Sequence, residues 1–401
     1  MKHLKRLCAL ILSAFFVVSM LYQPAQGHKS QPTEIYHRAW QLVKDNYYDG
    51  NFAGKNWGDL EHKYDGQIHS NADAFRYVKA MLETLNDPYT RFLDPRAFQD
   101  ENDAIDARIV GIGVNLQQKD GKHLIVTRTI PDGPAETVGL RAKDEIVEID
   151  GSDAVGITPE QAAEKIRGKA GSPVTISVKR GEEAKKFTIV RQEISIHAVE
   201  AKIIEGGKIG HITLSTFISN DASKEFRAGL QKLSNCDGLI VDLRDNPGGL
   251  LSNALEIADM LLEKGTIVST ISRHGRHTDV ASGDPLTRQP IVVLVDEESA
   301  SASEILAGAL KDNRRGQIIG TRTYGKGLVQ EINRLPGGAA IHITVSRYLT
   351  PDGVDINKVG VKPDQLAVDK DAQMACALRS LKDQIASLKK PVRTSNLSLS
   401  R

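Results

Sequence analysis

The chain has 401 residues, with 52 basic and 51 acidic side chains and a formal net charge of +1. That balance excludes a basic nucleic-acid surface and a strongly charged partner, and an aromatic content of 5% disfavours a base-stacking platform. The length allows two or three domains, each with its own core.

Residues 1–27 read as a secretory signal. Lys2, His3, Lys5 and Arg6 open it, a 14-residue apolar run spans Cys8 to Leu21, and Ala25-Gln26-Gly27 is a small-x-small cleavage site. A membrane span needs about 20 residues, so cleavage is expected. A retained inner-membrane anchor facing the periplasm is the alternative. The mature chain is therefore expected to be periplasmic or secreted. After cleavage only Cys236 and Cys376 remain, which permits a disulfide without implying one. The eleven histidines are scattered, no C-x-x-C or H-E-x-x-H spacing occurs, and no metal site or cofactor is expected.

Residues 28–106 form an N-terminal segment that reads as helical. Ile35, Trp40, Leu42 and Val43 recur at helical spacing, as do Phe75, Val78, Met81 and Leu82. DPYTRFLDP (87–95) is taken as part of it. Residues 107–193 turn β-rich, with short apolar runs at 114–116, 124–127, 146–149 and 174–178 and one helix opening at Thr158-Pro159-Glu160. Thr158 suits the N-cap and Pro159 the first helical position. The phrases RIVGIGVNL, TIPDGPAETVGL, DEIVEIDG and KIRGKAGSPVTISVKR resemble a PDZ domain. PDZ domains bind a chain terminus as an added strand. Val110-Gly111-Ile112-Gly113 then matches the loop that cups the terminal carboxylate, with Arg167 as a charge partner.

Residues 194–368 alternate strand-like and helical stretches, which argues a layered α/β core. From about 370 to 390 a further helix carries Met374, Ala377, Leu378, Leu381, Ile385 and Leu388 on one stripe. That stripe is expected to pack on the N-terminal helices of this chain or of a second copy. The remaining 391–401 carry no pattern.

Within the core, GTRTYGKGLVQ (320–330) nearly spells a phosphate-binding loop. It lacks the hydroxyl after Lys326, however, and a β-hairpin follows where such a loop needs a helix. Lys326 therefore calls for another task. ESASASEILAGALKD, 25 residues upstream counted from Ser301 to Lys326, follows the strand IVVLV and opens a helix. Ser301-x-x-Glu304 is a legitimate capping box. A serine at a helix start is also well placed as a nucleophile beside oxyanion-stabilising amides. A neutral lysine would serve as its base, and Gly325 and Gly327 allow the close packing that dries an amine. Gln330, four positions on, would share a strand face with Lys326.

These two segments, with IGHITLSTF, LIVDLRDNPGGLL and LTPDGVDINKVGVKPD in the same order, resemble the carboxyl-terminal processing (tail-specific) serine peptidases over nearly all of the mature chain. The resemblance implies a ClpP- and crotonase-like layered α/β peptidase core with a PDZ domain and helical segments at both ends. It implies Ser301 as nucleophile, Lys326 as general base and Gln330 as orienting residue. The oxyanion would sit on the Ala302 amide and that of Gly248 or Gly249, Gly249 being preferred. It further implies protein substrates with apolar C-termini, an adaptor in some members, a homodimer through the terminal helices, and a PDZ domain that gates the site. A non-catalytic PDZ scaffold is the runner-up. A penicillin-recognising enzyme at Ser387-Leu388-Lys389-Lys390 and a crotonase-like acyl-CoA enzyme fit less of the chain.

Overall fold

Helix α1 (Pro32–Asn46) starts on a proline at its first turn and buries Ile35, Tyr36, Ala39, Trp40, Leu42 and Val43 along one face. Helix α2 (Asn71–Glu83) is capped by Ser70, whose hydroxyl accepts from Asp73 N at 3.1 Å. The computed structural model describes residues 31–106, 108–130, 133–195 and 197–389. The signal segment and the 391–401 tail lie outside them.

DPYTRFLDP is not helical. Asp87 folds it into a turn, accepting from Tyr89 N at 3.0 Å and Thr90 Oγ1 at 2.7 Å. The chain then runs into strand β1 (Arg91–Leu93). A helix resumes only at α3 (Pro95–Ile105), where Asp94 caps the first turn. None of the α3 side chains is fully buried.

Strand β2 (Arg108–Gly111) enters the next unit. Strands β3 (Val114–Lys119), β4 (His123–Thr129), helix α4 (Pro134–Thr137), β5 (Glu145–Ile149), β6 (Ser152–Asp153), helix α5 (Pro159–Ile166), β7 (Pro173–Arg180), β8 (Glu183–Val190) and β9 (Gln192–Ser195) follow. The sheet order is β3-β4-β5-β7-β8, with β2 and β9 paired separately. Thr158 and Gln161 form the full capping box that opens α5, at 3.3 and 2.9 Å. Strand β3 is an edge of the main sheet.

The core unit holds β10 (Val199–Ile204), β11 (Ile209–Leu214), α6 (Ala222–Lys232), β12 (Gly238–Asp242), α7 (Leu251–Leu261), β13 (Thr266–Ser272), β14 (Gly275–Val280), β15 (Ile291–Val295), α8 (Ala302–Asp312) and β16 (Gly316–Gly320). The hairpin β17 (Leu328–Arg334) and β18 (Ala340–Leu349), strand β19 (Gln365–Leu366) and helix α9 (Lys370–Leu388) complete it. One sheet runs β10-β11-β12-β15-β16-β19, parallel from β11 onward. Its middle strands β12 and β15 are buried at every position, as a parallel sheet covered on both faces requires. Helices α6, α7 and α8 fill one face.

Helix α9 covers the other face. Ala377 and Leu381 pack with Ile209, Ile240, Val292, Leu294 and Ile319. The expectation that α9 meets the N-terminal helices is therefore corrected within this chain, because its stripe is spent on the parallel sheet. The N-terminal helices instead pack on the hairpin, with Leu335, Ala339, Ile341 and Ile343 in their cluster. Strand β1 fastens them there by pairing antiparallel with β18. Cys236 and Cys376 are free thiols.

Candidate active site

Strand β15 delivers the chain to a tight turn, and Ser301 stands at the N-cap of α8 with φ +55° and ψ −113°. A non-glycine residue held at positive φ costs on the order of 1–3 kcal/mol and persists only where its surroundings over-determine it. Here they do. The neighbouring serines are fully buried and act as bolts: Ser299 Oγ donates to Leu243 O at 2.8 Å, and Ser303 Oγ to Asn246 O at 2.9 Å. Ser301 alone of the three lines an open cavity of about 370 Å³. The result is a strand–turn–helix elbow without the flanking glycines that mark one in sequence.

The loop 246–249 lies against this elbow. A Cβ on Gly248 would stand 2.6 Å from Ala300 O and 2.9 Å from Ser301 Cβ, so only glycine fits. The Gly248 amide donates to Asn246 Oδ1 at 2.9 Å. That contact leaves the Gly249 amide the freer of the two expected oxyanion donors. Gly249 and Ala302 line the cavity, and among the described residues neither amide makes a hydrogen bond.

A buried ion network holds the loop from behind. Arg244 grips Asp242 at 2.6 and 2.8 Å and reaches Lys370 O of α9 at 2.9 Å, while His211 Nε2 lies 3.0 Å from Asp242. Burial alone would raise the Asp242 carboxyl. Its hydrogen bonds to Arg244 and His211 outweigh burial and lower it from 3.8 to about 2. A carboxyl depressed in the fold stabilises it above the unfolded value, and that contribution fades as pH falls towards the folded value. In full it amounts to roughly 2 kcal/mol. In denaturant titrations, the stability lead of the parent over Asp242→Asn should shrink between about pH 4 and pH 2. A constant lead across that range contradicts this reading.

Lys326 reaches the same cavity from the loop before β17. Its segment packs tightly on the 357–360 backbone, where a Cβ on Gly327 would meet Asn357 N at 2.6 Å. Its ammonium nitrogen lies 4.9 Å from the centre of the Tyr89 ring, a cation–π distance. Burial first, then the Arg91 guanidinium, pushes the amine below the ordinary lysine range. Glu101, Asp87 and Glu304 oppose this without cancelling it. Among the described residues no hydrogen bond joins Lys326 Nζ to Ser301 or Gln330.

Gln330 lines the cavity too, but not by strand alternation from Lys326. Strand β17 begins at Leu328, and a bulge between Val329 and Gln330 shifts its register. The Gln330 Nε2 is buried without a hydrogen-bond partner.

Two further side chains join the serine and lysine segments. Glu304 is fully buried, and its carboxylate accepts from Ser301 N, Gly325 N and Lys326 N, each at 2.8 Å, and from Thr323 Oγ1. The Tyr348 hydroxyl donates to Ser301 O at 3.0 Å and also contacts Lys326 O. In sequence Glu304 reads as a capping residue and Tyr348 carries no signal. Tyr89, Arg91, Glu101 and His342 also line the cavity and were not singled out. Their arrival depends on the β1–β18 pairing, which has no local signal.

In the PDZ-like unit a groove of about 440 Å³ opens between edge strand β3 and helix α5. Gly111, Ile112, Gly113 and Arg167 line it. Val110, which pairs with Glu193 in the β2–β9 ladder, does not. Arg167 Nη1 lies 3.6 Å from Asp100 of α3, an exposed pair of little energetic weight.

The chain is similar to known proteins over most of its length. Residues 208–367 match peptidase family S41, residues 106–179 the PDZ domain and residues 29–85 the tricorn protease C1 domain. A carboxyl-terminal-processing protease of Picosynechococcus sp. is 37% identical over 373 residues, covering 90% of each chain. Carboxyl-terminal-processing peptidase 2 of Arabidopsis thaliana chloroplasts is 34% identical, covering 94% of this chain and 77% of its own. The chain belongs to the carboxyl-terminal-processing peptidases of family S41.

Among solved structures, the photosystem II D1 C-terminal processing protease is 31% identical with a TM-score of 0.59, covering 87% of this peptidase and 97% of that chain. A putative S41 protease from Bacteroides fragilis shares the fold, with a TM-score of 0.57 at 15% identity, covering 88% of this chain and 98% of its own. This peptidase is thus a serine-type hydrolase with a PDZ domain. In one respect its histidines depart from the scattered pattern read in sequence: His37 and His62 converge on Asp65.

Proposed function

We propose that this peptidase cleaves proteins near their C-termini with a Ser301–Lys326 dyad, and that its PDZ groove selects the tail. The observation that carries the reading is the joint anchoring of the Ser301 elbow and the Lys326 loop by Glu304 and Tyr348 on one cavity.

The cycle begins with neutral Lys326. At an ordinary lysine pKa, neutralising the amine at pH 7 costs about 4.6 kcal/mol, and burial reduces that cost. The Lys326 side chain swings off the Tyr89 ring towards Ser301, and Gln330 orients the amine. Lys326 Nζ takes the Ser301 proton while Oγ bonds to the scissile carbonyl carbon. The oxyanion rests on the Gly249 and Ala302 amides. The tetrahedral intermediate expels the amine, which receives the proton from Nζ. Lys326 Nζ then takes a proton from water as its oxygen attacks the acyl carbon, and the second tetrahedral intermediate expels Ser301 Oγ, which receives that proton from Nζ.

The groove beside β3 suits an added strand, and its apolar lining, with Ile112, Ile130, Ile166 and Ile194, suits apolar terminal residues. The 1–27 segment supports action outside the cytoplasm. The test pairs one substrate ending in an apolar tail with the same substrate amidated at its C-terminus. Cleavage of the amidated form should be at least about tenfold slower, the loss of one charge-assisted contact. Equal rates sink the tail-selection reading, and cleavage that survives in Ser301→Ala sinks the dyad.

A further inference from the structure

We propose that His37, His62 and Asp65 form a binding site for a divalent transition ion of the zinc class. The site lies in the helical layer and shares no lining residue with the Ser301 cavity.

The three side chains come from segments that the fold fixes beforehand. His37 sits on α1; His62 and Asp65 lie on the loop that leads to α2. The loop is tied back to α1 at several points. Trp40 Nε1 donates to Trp57 O at 2.9 Å and Trp57 Nε1 to Trp40 O at 3.2 Å, a reciprocal pair. Tyr36 Oη donates to Leu60 O at 2.6 Å. Tyr64 meets the Tyr36 ring edge-on at 5.8 Å and stacks on Tyr77 at 4.4 Å. Ligand positions held by packing are what a metal site needs.

The spacing fits an ion. His37 Nε2 lies 3.0 Å from Asp65 Oδ1, His62 Nδ1 lies 2.9 Å from Asp65 Oδ2, and the three ligand atoms all fall within 4.8 Å of one another. Tetrahedral zinc with bonds of about 2.0–2.2 Å sets its ligands roughly 3.3–3.5 Å apart. Small side-chain rotations close the difference, and His62 is free to make them, its side chain being 73% exposed.

Asp65 Oδ1 supplies an independent sign. It is closed to solvent yet makes no aligned hydrogen bond, even with His37 so near. A cation between the two imidazoles would satisfy this oxygen better than the misaligned contact with His37 Nε2 at 3.0 Å does, although the Asp65 side chain as a whole is 39% exposed. Two imidazoles with one carboxylate suit zinc-like ions rather than calcium or magnesium, which prefer all-oxygen shells. His37 and His62 line a cleft with Glu34 and Glu61, from which water would complete the shell. Arg38 and Arg334 line the same cleft and weaken attraction for a cation without blocking the three ligands. A bound ion would clamp the 57–67 loop to α1.

The test uses tag-free mature protein, stripped with chelator and titrated with Zn²⁺ by calorimetry and with Co²⁺ by visible absorption. One ion per chain is expected, with a rise in the thermal midpoint. Binding should weaken at least about tenfold in His37→Gln, His62→Gln and Asp65→Asn, and should persist in His197→Gln, an exposed histidine paired elsewhere with Glu225. The exposure of His62 makes misfolding of its variant a poor explanation for lost binding, and circular dichroism checks it. Absence of saturable binding, or undiminished affinity in His62→Gln, overturns the proposal.

Discussion

Ser301→Ala should lower the rate of tail cleavage by about 10³- to 10⁶-fold, the range seen when one member of a catalytic unit is removed. Lys326→Ala should fall in the same range. The fold should survive both changes, because the elbow is held by Ser299, Ser303 and Glu304. Lys326→Arg should be as inactive as Lys326→Ala, since a guanidinium does not give up its proton in proteins. That variant separates a base from a mere positive charge: activity retained in Lys326→Arg would assign the lysine an electrostatic task. The checks are fragment analysis by mass spectrometry and an unchanged denaturant midpoint.

The second large effect is expected at Glu304. Its carboxylate serves three backbone amides and a hydroxyl, all at buried or half-buried positions. Glu304→Ala leaves those donors without a partner, at about 1–3 kcal/mol for each one that water cannot reach. A stability loss on the order of 3–5 kcal/mol follows. The rate should drop by at least about 10²-fold as well, because sub-ångström placement of both reacting segments is lost. Glu304→Gln keeps one carbonyl acceptor and should fall between parent and Glu304→Ala. A Glu304→Ala protein with parental stability and rate would remove the carboxylate from the account.

The parts legible in sequence were those with local causes. The α5 start at Thr158-Pro159, the β17–β18 hairpin and the β15–α8 elbow region each follow from side chains a few positions apart. The misreadings share one origin in distant pairing. DPYTRFLDP looked helical because its neighbours are, but β18 captures Arg91–Leu93 as a strand. Helix α9 showed a proper stripe, yet periodicity names a face and not its partner. Glu304 had a sufficient local explanation in the capping box, which hid its bonds to a loop about twenty residues on. The Val329/Gln330 bulge is likewise invisible to a count of two. The histidine pair on Asp65 appears only after the 57–67 loop folds onto α1.

Covalent labelling of the nucleophile as a function of pH tests the central claim most directly. A fluorophosphonate reagent should modify Ser301, located within the 296–312 peptide by mass spectrometry. The labelling rate should rise with pH to a plateau whose midpoint lies below the ordinary lysine value of about 10.4, and labelling should all but vanish in Lys326→Ala. An adduct on any other residue, or a Lys326→Ala protein labelled as fast as its parent, would contradict the dyad.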